Sequence, residues 1–402
     1  MIIRDIRWEP NGRLEANVHF ETSGATQSIV FNSPGIQSAP FFASHPFIAA
    51  SYLPALLQGE ERMVVEASYD PSLSDNLEVV RAHASHWWSN LWGPVPRINI
   101  EGEQKRLVAI PTCTSAASFF TGGLDSLYTL HKNLNHFPAG HSWRIGKAIL
   151  CYGLDAGLGG MDFESNEEKT KFRELEGTLR RYLDGIGIEL ISVETNVRCL
   201  KQDNDFYVRH FHGGYLASVA HLLSGVSQHF RIGSSFDVPN LFPWGSHPST
   251  DTNYSDVAVG IRHDGIEASR IEKLRSLIKW GVDLSILHVC YVNPMGRINC
   301  GECNKCRRSI VELLAAGAQD QAQEIFGMTS VSSALTNVTV RSGVDRIFLS
   351  DARDAFNQQG SNKEASVLTG KLSEYDASRR RVEERDWRGG IKRVLRQLGV
   401  RR

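Results

Sequence analysis

The chain has 402 residues, 41% of them hydrophobic, and its formal net charge is −1 at pH 7. This length and apolar content predict two or three domains with sizeable cores, and the balanced charge argues against nucleic acid as the main partner. The apolar stretches are too short to span a bilayer and residues 1–7 lack the pattern of a signal peptide, so we expect a cytoplasmic protein without a membrane partner.

The first 108 residues are predicted to form a separate α+β module. Strands are predicted at residues 2–8, 13–21, 28–31, 62–69 and 97–100, and a helix at residues 74–92. The first two strands alternate polar and apolar residues around a turn at residues 10–12, which is typical of a β-hairpin. The helix carries three tryptophans, Trp87, Trp88 and Trp92. Packing against the module's own sheet is the favoured interpretation of these rings, and a partner-binding patch is the alternative.

The most informative segment follows the apolar run at residues 116–120. It consists of Thr121, Gly122, Gly123, Leu124, Asp125 and Ser126. A strand that enters a glycine pair and then a helix gathers unpaired backbone N–H groups and the positive end of the helix dipole, which suits a pyrophosphate. Thr121 and Ser126 add hydroxyls, and Asp125 can cap the helix or orient a metal or a donor. The pattern G-x-x-x-x-G-K-[ST] is absent, and an ordinary tight strand-to-helix turn is the alternative.

Strands and helices alternate from residue 116 to residue 292, which predicts a parallel sheet. The second strand of this region is predicted at residues 147–151, and a helix at residues 214–220 precedes a strand at residues 230–233. Residues 153–160 contain several glycines, so we interpret them as a flexible loop beside a nucleotide.

The segment at residues 236–251 follows a predicted strand end, where ligands of parallel sheets collect. Phe236 and Trp244 can stack on a purine-like base, while an aspartate accepts from its N–H groups. The predicted substrate-binding residues are Phe236, Asp237, Trp244, Ser246, His247 and Asp251. A loop whose prolines fix turns is the alternative. Glu267 and Arg270 are further site residues, because they open a helix after a glycine.

Four cysteines have the spacing of a metal site. They are Cys290, Cys300, Cys303 and Cys306. The last three form C-x-x-C-x-x-C, which predicts a closed, tetrahedral zinc site with a structural role. A ferredoxin-type cluster would need a further cysteine where Ile310 stands, and a disulfide pair is disfavoured in a chain with 7 Cys and no secretory segment. The other cysteines are predicted to be ordinary small apolar residues, namely Cys113, Cys151 and Cys199.

Residues 316–402 are predicted to be mostly helical. Near the end, four apolar residues follow helical spacing with arginines opposite, namely Ile391, Val394, Leu395 and Leu398. The arginine-rich segment at residues 379–402 can contact an acidic protein, RNA or solvent.

The glycine turn, the α/β region and the cysteine spacing together resemble the 7-cyano-7-deazaguanine synthase family of PP-loop ATP pyrophosphatases. The resemblance covers about residues 110–315. The turn is similar to the family's S-G-G-x-D-S loop with Thr121 replacing the first serine, and Tyr152 and Gly153 are similar to a Tyr-Gly pair beside the adenine. The family's Tyr-x-Asp-Cys-Arg run is replaced by residues 236–251, which leaves the acceptor and the base open.

This resemblance implies an α/β fold in which residues 109–315 form a PP-loop (adenine nucleotide alpha-hydrolase-like) parallel sheet with a zinc knuckle. Residues 1–108 would be an added α+β module that binds a partner, and residues 316–402 a helical C-terminal region. Asp125 and Ser126 would be catalytic. The implied ATP-binding residues are Thr121, Gly122, Gly123, Leu124, Asp125, Ser126, Cys151 and Tyr152. The implied cofactors are a structural Zn²⁺ and Mg²⁺ with ATP.

The resemblance implies an ATP-dependent ligase that adenylates the carboxylate of a 7-deazaguanine and transfers it to an amine. Larger relatives occur in bacterial antiphage operons, which favours a protein amine as acceptor. A nitrile synthase using ammonia, a PP-loop tRNA sulfur transferase and a non-catalytic binding module are the alternatives. The oligomeric state stays open and includes a homo-oligomer.

Overall fold

The computed structural model describes residues 1–93, 95–107, 115–155 and 158–397, with side chains described up to residue 381. Three predictions concern residues or side chains that are not described. They concern Cys113, the boundary between residues 108 and 109, and the apolar face formed by Ile391, Val394, Leu395 and Leu398.

Ten strands in the described part of the chain form one sheet. They are β1 (Ile2–Glu9), β2 (Arg13–His19), β3 (Thr26–Asn32), β4 (Arg62–Val65), β5 (Asn99–Glu101), β6 (Ala116–Phe119), β7 (Ile145–Tyr152), β8 (Glu189–Thr195), β9 (His229–Gly233) and β10 (Gly260–Asp264). Their order across the sheet is β10-β9-β6-β7-β8-β3-β2-β1-β4-β5. Most neighbouring strands are parallel, so the predicted α/β class and mostly parallel sheet are confirmed.

Helices cover both faces of the sheet and form the C-terminal region, as predicted. They are α1 (His45–Leu57), α2 (Pro71–Trp92), α3 (Leu124–His136), α4 (Asn166–Gly185), α5 (Asn204–Phe206), α6 (His212–Leu222), α7 (Pro248–Asp251), α8 (Arg270–Lys279), α9 (Asn304–Ala316), α10 (Gln319–Phe326), α11 (Met328–Asn337), α12 (Gly343–Gln358) and α13 (Asn362–Gln397). None of the helices in the described residues combines the length and the apolar character needed to cross a membrane.

In the parallel half of the sheet, the order in which successive strands are added reverses between β6 and β9. Strand β6 pairs with β7 on one side and with β9 on the other, while β8 and β10 lie outside them. In chain order, these five strands therefore run 3-2-1-4-5. Ligands of such sheets bind beyond the carboxyl ends of the strands at the reversal. A ligand-binding site is therefore expected among the residues that follow β6 and β9.

The N-terminal strands extend the same sheet. Strand β3 pairs antiparallel with β8 through Phe31 and Thr195. The Asn196 side chain continues this junction, because it accepts from the Val30 amide at 2.8 Å and donates to the Ser28 carbonyl at 2.8 Å. Helix α1 packs on α6 within one hydrophobic core that also contains N-terminal strand residues. Residues 1–107 are therefore joined to the parallel half by strand pairing and by a common core.

Alternate residues of the strands point to opposite faces of the sheet. In β7, Leu150 and Tyr152 pack with α3, α4, α8 and α9, whereas Ile149 and Cys151 pack with α1, α2 and α6. Each fully buried aliphatic side chain of this kind contributes about 1.5–3 kcal/mol to stability. Both faces of this strand are buried, which explains its continuous apolar sequence.

The three tryptophans of α2 lie at the edge of the larger core. The Trp88 ring is buried, and its centroid lies 4.8 Å from those of Trp92 and His210. Trp87 and Trp92 are partly buried against the same core, and Trp87 packs on His247 with centroids 4.9 Å apart. The rings therefore join α2 to the segments before and after β9. Their contacts reach beyond the N-terminal strands.

A buried network of histidines and an aspartate ties α1 and α6 together. His45 Nδ1 lies 2.6 Å and His221 Nδ1 3.6 Å from Asp256 Oδ2. These three side chains are close enough to hold a metal ion. However, the Asp70 amide donates to His45 Nε2 at 3.0 Å, so the proton of His45 is on Nδ1 and faces Asp256. His221 Nε2 donates to the Tyr254 carbonyl at 2.8 Å, so both histidines are hydrogen-bonded without an ion.

This network predicts a loss of stability in mild acid. Burial lowers the pKa of His221 to about 4. Because the unfolded chain binds this proton near pH 6.5 and the folded chain does not, the free energy of unfolding falls as the pH drops from 6.5 towards 4, by up to roughly 3 kcal/mol from this residue. We expect His221→Asn to be less stable at pH 7.5 but to lose less stability on acidification, in urea unfolding measured at several pH values. The exposed His86→Asn variant is the control. Equal pH dependence of His221→Asn and wild type would refute the assignment.

Candidate phosphate-binding site and cysteine cluster

The glycine turn lies between β6 and α3, at the reversal point of the sheet. Gly123 precedes α3 as its N-cap residue and makes no side-chain capping bond. Gly122 has φ +71°, and a Cβ there would lie 2.9 Å from the Leu179 side chain and 3.1 Å from the Ile286 carbonyl oxygen. Only glycine fits such a position. The turn therefore presents the backbone donors of the α3 N-terminus to any ligand that reaches it.

Asp125 is held by donors from two distant segments. Its Oδ2 accepts from Ser235 Oγ and from the Arg270 guanidinium, both at 3.0 Å, and its Oδ1 lies 3.3 Å from Lys273 Nζ. Burial opposes ionisation of Asp125, but the charges of Arg270 and Lys273 outweigh it and lower the pKa of this carboxyl. Asp125 is thus an ionised residue that fixes the start of α3 to α8 and to the end of β9. Of the roles predicted for Asp125, the structure shows the orientation of hydrogen-bond donors.

A second layer of charges holds Arg270. Its guanidinium makes two bonds of 3.0 Å to the carboxylate of Glu312 in α9. The Phe348 ring of α12 lies between Arg270 and Arg308, with 4.8 Å from each guanidinium carbon to the ring centroid. Arg308 in turn donates to Asp345 at 2.8 Å. Helices α8, α9 and α12 are therefore fixed together by buried, paired charges behind the turn.

The other residues predicted to bind the phosphates or the adenine differ in the exposure of their side chains. Ser126 Oγ donates to the Gly123 carbonyl at 2.9 Å and remains partly exposed, as does Thr121. The Cys151 side chain is buried, and burial raises its pKa. The Tyr152 hydroxyl donates to the Phe163 carbonyl at 3.0 Å beneath the loop after β7. At the end of β7, only backbone groups are therefore left for contact with a nucleotide.

A cavity of about 520 Å³ opens beside the glycine turn. Its lining includes Thr121, Asp155, Tyr207, His288, Lys305 and Arg341. A second cavity of about 390 Å³ along α4 also contacts Leu158, His288 and Asn293, so the two cavities meet there. Volumes of this size suit a small-molecule ligand. The space lies beyond the carboxyl ends of β6 and β7, on one side of the reversal point, and none of the residues that line it follows β9 directly.

The predicted substrate-binding residues do not line either cavity. Phe236 is buried and stacks on Phe348 with centroids 5.4 Å apart, and Trp244 packs on Phe236 at 5.9 Å. Asp237 accepts from the Asn240 side chain at 2.6 Å. This part of the segment therefore lies against α12, near Arg270.

The remaining predicted residues of this segment bond to one another. The Ser246 hydroxyl donates to Asp251, and His263 Nδ1 lies 2.7 Å from the same carboxylate. His247 Nδ1 accepts from the Ser249 amide at 3.1 Å and caps α7. The structure thus separates the predicted set into two groups, Phe236, Asp237 and Trp244 near α12 and Ser246, His247 and Asp251 between α2 and β10.

Glu267 and Arg270, which were also predicted, contact different residues along α3. Arg270 contacts Asp125, whereas Glu267 pairs with Lys132 at 2.6 Å and accepts from the Tyr128 hydroxyl at 3.1 Å. Sequence reasoning did not identify Lys273, His288, Lys305 or Arg341. Of these, only Lys305 carried a local signal, because it lies within the C-x-x-C-x-x-C run.

The four predicted cysteines form a cluster that could hold a metal ion such as zinc. Their sulfur atoms all lie within 4.8 Å of one another, with 4.0 Å between Cys290 and Cys303 and 3.8 Å between Cys300 and Cys306. A tetrahedral zinc with Zn–S bonds of about 2.3 Å separates its sulfur ligands by about 3.8 Å. Backbone amides of Cys303 and Cys306 approach the preceding thiols at 3.3 and 3.4 Å. The geometry fits four thiolate ligands and leaves no ligand position for water.

The cysteine cluster is connected to the glycine turn through His288. The His288 amide donates to the Gly122 carbonyl at 2.9 Å, and its Nδ1 donates to the Thr121 carbonyl at 3.0 Å. Two residues later, the Cys290 amide approaches Asn299 Oδ1 at 3.2 Å, which fixes the start of the cluster. The conformation of the turn therefore depends on the segment that the cluster holds.

No protein-family model, curated protein or solved structure matches this chain. Three local features bear on the chemistry of the site. These are the uncapped glycine turn, the cavity beside it and the cysteine cluster that supports the turn.

Proposed function

We propose that this protein is a PP-loop ATP-dependent ligase that adenylates the carboxylate of a 7-deazaguanine and transfers it to an amine. The observation that carries the proposal is the uncapped glycine turn at the reversal point of five parallel strands, next to a cavity of ligand size. The strand order 3-2-1-4-5, with this turn after its first strand, supports a PP-loop domain.

The proposed chemistry begins with ATP phosphates on the turn. Backbone amides of the α3 N-terminus, with the Thr121 and Ser126 hydroxyls, hold the β- and γ-phosphates as a leaving group. A carboxylate oxygen of the substrate attacks the α-phosphorus, and the bond from that phosphorus to the bridging oxygen breaks. Pyrophosphate leaves with the electron pair. An amine then attacks the acyl carbon, AMP leaves and the amine loses a proton.

The contacts of Asp125 affect whether this residue could bind Mg²⁺ in the proposed reaction. Both oxygens of Asp125 already accept from Ser235, Arg270 and Lys273. We therefore propose that Mg²⁺ arrives with ATP, where it neutralises phosphate charge, and that Asp125 acts by fixing the turn.

We further propose that the cysteine cluster holds a structural Zn²⁺. Four thiolates close the coordination shell, so the ion has no open position at which to activate water or substrate. Its contribution would be to fix His288, which holds the turn by two hydrogen bonds.

The cysteines outside the cluster favour a ligase over a sulfur transferase. In the described part of the chain these are Cys151 and Cys199. Burial raises the pKa of both thiols, that of Cys199 to about 11. A thiol that stays protonated at neutral pH is a poor nucleophile. Sulfur transfer would require a reactive cysteine, which supports acyl transfer to an amine as the proposed reaction.

Product analysis tests this proposal. The protein is incubated with Mg²⁺, ATP and 7-carboxy-7-deazaguanine, with ammonia or with proteins encoded by neighbouring genes. We expect AMP, pyrophosphate and, by mass spectrometry, a partner chain heavier by the base. An ATP analogue with a methylene group between the α- and β-phosphorus is the control, because it cannot release pyrophosphate.

The same experiment distinguishes the acceptors. A free amide or nitrile formed with ammonia, and no partner of increased mass, would assign the protein as a small-molecule synthase. Release of ADP and phosphate instead of AMP and pyrophosphate would refute the ligase proposal itself.

A further inference from the structure

Two cations that line the cavity beside the glycine turn have no carboxylate partner within the described residues. Lys305, in the first turn of α9, and Arg341, just before α12, line the 520 Å³ cavity together with Thr121. Within the described residues, neither forms an ion pair within 4.0 Å. Arg341 Nε donates to Thr339 Oγ1 at 2.8 Å, and Asp155 lines the same cavity as Lys305.

The neighbouring cations are already neutralised. Arg270 pairs with Asp125 and Glu312, and Arg308 pairs with Asp345. Lys273 is fully buried and donates to the Ser234 carbonyl as well as to Asp125. Lys305 and Arg341 are therefore the cations of the cavity wall whose charge is available to a ligand.

The glycine turn itself lacks positive charge. Residues 121–126 contain hydroxyls, backbone amides and one carboxylate, but no lysine or arginine. A departing pyrophosphate is a polyanion, and cations placed where its charge develops lower the barrier to its departure. Any protein cation that assists Mg²⁺ at the turn must therefore come from another part of the chain.

We propose that Lys305 and Arg341 form an anion-binding wall that receives the phosphate chain of the nucleotide opposite the glycine turn. This inference rests on the proposed function and assigns Lys305 a catalytic role in it. When the bond from the α-phosphorus to the bridging oxygen breaks, the electron pair passes to the pyrophosphate oxygen, and the Lys305 ammonium stabilises that charge. Two cations match the several negative charges of a polyphosphate better than the single negative charge of a carboxylate.

Because of the position of Lys305, the cysteine cluster would have a second structural role besides fixing His288. Lys305 lies between Cys303 and Cys306, and Cys303 is the N-cap residue of α9. A metal ion held by these cysteines would fix the first turn of α9, and with it the lysine, relative to the glycine turn. The cluster would thus position both walls of the site, through His288 on one side and Lys305 on the other.

Calorimetric titration of the full chain with inorganic pyrophosphate and with ATP tests this inference. We expect Lys305→Gln to weaken both affinities at least tenfold, Arg341→Gln to weaken them less, and Lys305→Arg to retain most of the wild-type affinity. The exposed Lys279→Gln variant, on α8 and outside the cavity, is the matched control. Metal content and melting temperature are measured for each variant, and Arg341 provides a test outside the cysteine cluster.

Titration with 7-carboxy-7-deazaguanine separates the two sources of negative charge. If Lys305→Gln loses affinity for this carboxylate and keeps its affinity for pyrophosphate and ATP, the wall serves the acyl substrate and the inference is wrong. Unchanged affinity for all three probes in Lys305→Gln and Arg341→Gln also overturns it. A wild-type protein that binds neither pyrophosphate nor ATP would overturn the proposed function, and the inference with it.

Discussion

Replacing Asp125 with asparagine is expected to lower AMP formation at least about a hundredfold. The amide keeps the shape of the side chain but removes the charge that holds Arg270 and Lys273. Lys273 then lacks a charged partner and Arg270 keeps only Glu312, which costs up to about 3 kcal/mol of stability and shifts the start of α3. AMP release and urea unfolding of the same variant measure both effects.

Two further variants test whether the expected loss of AMP formation depends on the glycine turn. Ser126→Ala removes one hydroxyl and its bond to the Gly123 carbonyl, so AMP formation should fall while stability changes by only about 1 kcal/mol. Asp320→Asn, an exposed position on α10, is the control for loss of a carboxylate. Normal turnover in both Asp125→Asn and Ser126→Ala would remove the glycine turn from the mechanism.

Replacing Cys303 with serine is expected to cost both the metal and much of the folding free energy. Metal analysis should find about one zinc per wild-type chain and almost none in the variant. Because a structural zinc contributes its binding energy to folding, the midpoint of unfolding should fall by well over 10 °C or the chain should not fold. Cys303 is also the N-cap residue of α9, and serine can still cap the helix, so the expected loss reports on the metal site rather than on the cap.

The partly buried Cys199→Ser variant is the control for loss of a thiol outside the cluster. A Cys303→Ser variant with wild-type stability and metal content would contradict a structural site. Wild-type protein that contains iron and absorbs visible light would instead favour the sulfur transferase alternative.

The parts of the site that follow from the sequence are those with a local pattern. The strand, the glycine pair and the helix around residues 116–136 are consecutive in the chain, and the cysteine spacing is compressed into seven residues except for Cys290. Local chemistry of this kind depends little on the rest of the fold. The cluster of four cysteines was therefore predictable before any tertiary contact was known.

Helix α1 was not predicted because it has almost no polar face. Nearly all of its residues are buried, so the 3.6-residue alternation that marks an amphipathic helix is missing. Pro54 further obscures it, since proline is uncommon within helices. The pairing of β3 with β8 was equally hidden, because it joins residues more than 150 positions apart without a local signal.

The partners of Asp125 show the same limit within the site. Arg270 and Lys273 reach it from 145 and 148 residues away. Conversely, Ser246 and Asp251 have the polar character of site residues but bond to each other and to His263. A sequence pattern identifies residues capable of binding, whereas only the packed structure shows which of them are already satisfied.

Isotope exchange between labelled pyrophosphate and ATP tests the central proposal most directly, because it reports reversible attack on the α-phosphorus before any amine reacts. With Mg²⁺, ATP and labelled pyrophosphate, we predict label in ATP only when 7-carboxy-7-deazaguanine is present, and none with Asp125→Asn. Absence of exchange while the protein cleaves ATP to ADP and phosphate would contradict the proposal, since the bond broken would then be the one between the β- and γ-phosphates.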